Sequence, residues 1–271
     1  MSSWTRIKVV FAIITLFISA CGTAADSQPD TGGTDTGGTD TAGTDNTGTD
    51  TSGTGETTLQ SIQELSAAMN CVGGDSPFLT HIEGLSLEGV VVVSPRFNAF
   101  TPEEEGNALD GYFVADQAGG MYSGTQLVVS KSAATDYQIG DLLSVEGSAT
   151  DFYCMTQVSA DVATLTGQGE APTPSLVTAD TFATGAEIEK YEGTLVEIHD
   201  LVPNDEPNQW GEYDIDGVIV DDKFMFNDLN LTVGETISKL VGIVNYSYGK
   251  YMILPRSAAD IEVAAPEATD P

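Results

Sequence analysis

Cations are scarce in this chain: nine Lys plus Arg face 41 Asp plus Glu across 271 residues, for a net charge of −32. Two of the nine, Arg6 and Lys8, sit at the extreme N-terminus, so seven remain for everything else. Nucleic-acid binding draws affinity from Lys and Arg that displace counterions from phosphate, and this balance disfavours a nucleic-acid partner. Histidine is almost absent, and neither His81 nor His199 stands in a catalytic spacing. No serine, cysteine or lysine has a recognisable activating partner, so the sequence argues against an enzyme and offers no catalytic residue. Beyond the N-terminal segment there is no long apolar run.

That segment has a defined grammar. Arg6 and Lys8 precede "VVFAIITLFISA", which is too short for a comfortable permanent span and ends in small residues before Cys21. The run Ile18-Ser19-Ala20-Cys21 resembles a bacterial lipobox. The resemblance implies cleavage after residue 20, lipidation of Cys21 and a membrane partner held through acyl chains. Gly22 lacks the aspartate of inner-membrane retention, which points to an outer-membrane or cell-surface location. The alternatives are an ordinary signal peptide or a membrane anchor with an incidental cysteine. Of three cysteines, the lipidated one leaves Cys71 and Cys154 in an oxidising compartment. A disulfide between them is expected, with two buried thiols as the alternative.

Residues 21–56 are dominated by "TGGTDTGGTDTAGTDNTGTDTSGTG", in which no residue is large enough to pack. Such a Thr/Gly/Asp repeat cannot offset its ordering entropy and reads as a disordered, self-repelling tether. One Asp in five collects no calcium shell. Order begins near Thr57, where Thr57 and Gln60 fit a capping box and Leu59, Ile62, Leu65 and Met69 follow at helical spacing. After Cys71 the texture becomes short apolar or alternating runs between Gly, Asp and Asn, the signature of strands and turns.

The β region says the same thing twice. "LEGVVVVSP" (87–95), "GYFVADQAGG" (111–120), "GTQLVVS" (124–130) and "IGDLLSVEGSATDFYCMTQVSADVATL" (139–165) form one copy. "YEGTLVEIHDLVPN" (191–204), "GEYDIDGVIVDD" (211–222) and "VGETISKLVGIVNYSYGKYMILPRSAADIEV" (233–263) form the other. Gly147 to Tyr153 and Gly242 to Tyr248 are each six apart. About five strands per copy suit a small Greek-key barrel better than the seven of an immunoglobulin-like sandwich, with each glycine permitting a bend or bulge. The second copy resembles the OB-fold-like repeats of bacterial lipoproteins, found also beside the catalytic domains of extracellular nucleases. The resemblance covers about residues 57–263. It implies a mainly β fold of two tandem OB-fold-like barrels, 57–170 and 171–263, with a disordered tail at 264–271, and brings no catalytic residues.

Two groups of side chains are candidate sites. Asp214 and Asp216 would share a strand face, with Asp222 approaching across a hairpin, and three carboxylates could then hold Ca²⁺, although a solvated hairpin is the favoured reading. Trp210, Tyr213, Tyr246, Tyr248 and Tyr251 could form a stacking platform, with Tyr246 and Tyr248 pointing the same way, although packing at the barrel mouth is favoured. The acidic surround suits a neutral saccharide, a peptide or a cationic partner. The functional expectation is a non-catalytic binding or scaffolding module in the envelope, with an accessory role in extracellular nucleic-acid or polysaccharide processing as the first rival. A metal-dependent hydrolase is the remote alternative.

Overall fold

In the first copy, strands β1 (His81–Val92), β3 (Leu109–Ala115), β4 (Gly124–Ser130), β5 (Asp141–Phe152) and β6 (Met155–Gln168) close on themselves. β1 pairs antiparallel with β5 and again with β3, at Val91 and Ala115, so no edge is left between first and second strands. β4 and β6 run parallel, and the other barrel pairings are antiparallel. This is a five-stranded OB-fold-like Greek-key barrel, and a short β2 (Phe97–Phe100) extends the β3 edge. The computed structural model describes residues 58–68, 81–101, 108–132 and 135–265. The leader, Cys21, the tether, Cys71, Met69 and the tail from 266 lie outside the described residues.

The second copy repeats the order with β8 (Leu195–Ile198), β9 (Tyr213–Ile215), β10 (Val218–Val220), β11 (Ile237–Ser247) and β12 (Lys250–Leu254). Again one pairing, β10 with β12, is parallel. Among the described residues β8 and β9 do not pair, so this barrel is open between them. A two-residue β7 (Ser175–Leu176) lies along β8 instead, and β13 (Ile261–Val263) adds to β11.

A helix plugs each barrel ahead of its first strand. α1 (Leu59–Ala68) buries Leu59 and Ile62 among Leu85, Tyr112, Leu127 and Leu143. Its cap is Thr58 with Ser61, each side chain accepting the other's amide at 3.2 Å, one residue beyond the expected Thr57. Leu65, expected in the core, is exposed, and the buried stripe continues through Gln63 and Ser66. In the second copy α2 (Ala179–Phe182) and α3 (Gly185–Ile188) lead into a 3-10 turn, Glu189–Tyr191. Ile188 fills the barrel against Val196, Ile215 and Ile253.

The repeated glycines are explained by close approach. A Cβ on Gly147 would stand 2.0 Å from the Ser159 carbonyl, beside a bulge in the β5–β6 ladder. On Gly242 it would meet the Ile253 side chain at 2.3 Å, with no bulge. The repeated tyrosines are turn residues: Tyr153-Cys154 and Tyr248-Gly249 join the last two strands, all with positive φ. Two such residues make the primed turn that matches strand twist.

The barrels pack on a third apolar cluster. Val91, Phe113 and Met155 of the first meet Leu195, Ile243, Met252 and Leu254 of the second. Phe113 lies 5.6 Å from Phe97 and 6.4 Å from Phe224, ring centre to centre.

Candidate functional site

In small Greek-key barrels of this type, ligands lie across strands two and three, between the loop joining strands one and two and the loop joining four and five. In the second barrel those loops are 199–212 and the Tyr248-Gly249 turn. The long loop is pinned at its start by a two-way backbone bridge between Leu201 and Ile237. Its far end is tied by Asn208, whose Oδ1 accepts the amides of Trp210 (2.8 Å) and Glu212 (3.2 Å) while its Nδ2 donates to Glu212 Oε2 (2.8 Å). Gly211, at φ +87°, lets this bend sit on the Asp222 carboxylate, 2.5 Å from where a Cβ would be.

The result is a rigid bend that holds Trp210 outward, 69% exposed. Tyr248, held in its primed turn, is 96% exposed. Lys250 Nζ approaches Glu212 Oε2 at 3.7 Å and links the two loops, so the two aromatic residues flank one ion pair. Asp205 and Glu206, both exposed, lie on the same loop. Two ring faces held by these turns, with one cation among acids, suit stacking on a neutral ring.

The other expected aromatics serve different ends. Tyr213 is core, 2% exposed, and its hydroxyl accepts the Leu231 amide at 3.2 Å. Tyr246 and Tyr251 face each other across β11 and β12 with ring centres 4.8 Å apart, half-buried at the junction with the first barrel. Tyr251 donates its hydroxyl to Glu189. Tyr246 and Tyr248 do not share a strand face, because β11 ends at Ser247 and Tyr248 begins the turn.

The structure does not bring the three carboxylates together. Among the described residues no group of three or more His, Cys, Asp or Glu is placed to hold a metal ion. The sequence "DIDG" is a hairpin, with Asp216 (φ +53°) and Gly217 (φ +88°) forming its two-residue turn, so Asp216 leaves the strand face that Asp214 occupies. Asp214 accepts the Gly217 amide at 3.0 Å, and Asp222 accepts that of Asn227 at 3.2 Å. His199 is an exposed strand-end residue bonded to Glu197 at 2.6 Å. Cys154 is buried in its turn.

Sequence reasoning missed a buried acidic cluster where the barrels meet. Glu192 is fully buried, and its Oε1 accepts the Thr156 amide at 2.8 Å. Asp151, 1% exposed, accepts from Ser66 at 2.6 Å and from Thr156 Oγ1 at 3.1 Å. Burial and the Asp151 charge push the Glu189 carboxyl up to about 7. Burial, then repulsion from Glu189, hold Glu192 well above the usual carboxylate range, against the Thr156 amide, which pulls down. The "YEG" at 191–193 is the signal that marked the place, since it matches "LEG" at 87–89.

No family model matches this chain. No curated protein matches it either. Among solved structures it is similar to the second OB-fold domain of replication protein A from Methanococcus maripaludis, at 16% identity over 32% of this chain and 86% of that one (TM-score 0.25). It is also similar to the p204 HINb domain, at 10% identity over 69% and 98% (TM-score 0.33). A third similar structure is a single-stranded DNA binding protein from Thermus aquaticus, at 12% identity over 71% and 99% (TM-score 0.23). At these scores the likeness carries no argument about ligand or partner, and the fold rests on the strand pairings themselves.

Proposed function

We propose that this chain is a lipid-anchored protein of the outer membrane or cell surface, acting as a non-catalytic binding module through the open corner of its second barrel. The observation that carries the reading is the pair of exposed rings, Trp210 and Tyr248, presented by the two loops that flank the ligand face of such barrels. The ligand class is a neutral ring-bearing molecule, foremost a saccharide. Base–aromatic stacking would serve a nucleic acid equally. The net charge of −32 and the acids beside Trp210 oppose the phosphates that come with it. An accessory role in polysaccharide processing is the form this reading takes if a catalytic partner is present. Cys21 supplies the anchor, residues 21–56 the tether, and a Cys71–Cys154 disulfide the clamp on the first of two domains divided near residue 170.

The test is thermal unfolding with neutral oligosaccharides, oligodeoxythymidine, and calcium against a chelator. A ligand that binds only the folded state raises the midpoint, by the equivalent of about 2.7 kcal/mol at a hundred times its Kd. The reading expects a shift with saccharide that is lost in Trp210→Ala. A shift with oligodeoxythymidine alone at moderate salt would replace it with the nucleic-acid reading.

A further inference from the structure

The contact between the barrels holds charge where an apolar surface would serve. Glu192 Oε2 is buried with no hydrogen-bond partner, while Oε1 takes the Thr156 amide from the first barrel. Among the described residues, the charged groups acting on Glu192 are carboxylates: Glu189 of the 3-10 turn and Asp151 of β5. From β11 and β12, Tyr246 faces Glu189 and Glu192 while Tyr251 bonds Glu189, and their hydroxyls carry no positive charge. Lys190 is adjacent in sequence, but its ammonium is held by Glu187 at 2.8 Å. Backbone closes the remaining space, since a Cβ on Gly193 would stand 2.6 Å from the Thr125 nitrogen and the Tyr122 amide bonds Lys190 O at 2.6 Å. An ionised Glu192 would put a further negative charge, met by one amide, into a buried contact beside two other carboxylates. Uncompensated burial of that kind is strongly unfavourable.

We propose that the junction is a proton-operated latch: a proton on the Glu192 carboxyl lets the two barrels seat against each other, and its release loosens them. The direction follows from linkage. A folded acid that is harder to ionise than in the unfolded chain contributes stability fully below the ordinary carboxyl range. That contribution is lost as pH rises from there through the folded value, about 7 for Glu189. The latch is therefore shut in mild acid and eased above neutrality, where the opposing faces carrying Thr156 and Glu192 separate first.

Hydrogen exchange on the full chain tests this at single amides. After correction for intrinsic exchange, protection of the Thr156 amide falls by at least about a hundredfold from pH 5 to pH 7, the slope of one linked proton at Glu192, with Glu189 adding to it. The β1–β5 ladder around Leu87 and Val145, whose side chains fill the first barrel's own core, keeps its protection over the same range. In Glu192→Gln the Thr156 fall shrinks by about tenfold or more, leaving the part that Glu189 contributes. Equal falls in both proteins, or an equal fall at the Leu87–Val145 ladder, would overturn the proposal. Should Glu192→Gln fail to fold, the wild-type profile decides alone, and a Thr156 amide indifferent to pH overturns it.

Discussion

The first barrel closes and the second does not, although both are written with the same motifs. In the first, β1 reaches β3 through Val91 and Val92, and the loop beyond it folds Phe97 onto Gly111. In the second, β8 stops at Ile198 and the chain leaves into the 199–212 loop, so the corresponding loop stays outside and carries Trp210 to solvent. The same divergence repeats residue by residue. Glu88 and Glu192 each precede a glycine at positive φ, yet Glu88 is exposed and bonds Ser144, whereas Glu192 is buried at the junction. Tyr153 and Tyr248 open equivalent turns, yet the position after Tyr153 is Cys154 and the position after Tyr248 is Gly249. A repeated motif thus fixes backbone shape, while its chemistry is set by what the rest of the chain places against it.

That comparison can be broken most forcefully at the shared contact. Phe113→Ala empties the Phe97–Phe113–Phe224 packing and should cost about 3–5 kcal/mol, read by denaturant unfolding, with both barrels losing stability together. Gly147→Ala comes next, at about 3 kcal/mol, because the added methyl meets a carbonyl that the β5–β6 ladder holds in place. Gly242→Ala should cost somewhat less, about 2 kcal/mol, since its nearest obstacle is the Ile253 side chain at 2.3 Å, with the Leu254 backbone at 2.9 Å limiting how far the site yields. Equal costs would mean the two glycines play one role. The smallest effect sharpens the contrast: Tyr248→Asn suits a primed turn and should leave stability within about 0.5 kcal/mol while abolishing ligand binding.

Much of the fold was legible because the signals are local. Five-strand spacing, the mid-strand glycines and the Gly-acid openings of Asp141 and Glu235 all express turn and pleat chemistry that neighbours cannot override. The site was legible only in part. Trp210 and Tyr248 were grouped with the other aromatics as a stacking platform, but assigning Tyr248 to the turn rather than the strand required knowing where β11 ends, and the "YG" pair was the overlooked marker of a two-residue turn. "DIDG" misled in the same way, because an Asp-Gly pair between short apolar runs makes a hairpin whose turn consumes the second aspartate. The acidic junction was out of reach, since burial of Glu192 depends on the first barrel's Thr156, 36 residues away along the chain.

Binding at the open corner is the central claim, and Trp210 reports on it directly. The chain has two tryptophans, and the other, Trp4, lies in the segment that the proposed processing at Cys21 would remove. The decisive measurement is tryptophan emission of the processed protein titrated with a neutral oligosaccharide, at about 150 mM salt so that screened charge effects do not contribute. The account predicts a saturable change that disappears in Tyr248→Asn. An unchanged emission, or a change that survives that substitution, would contradict it.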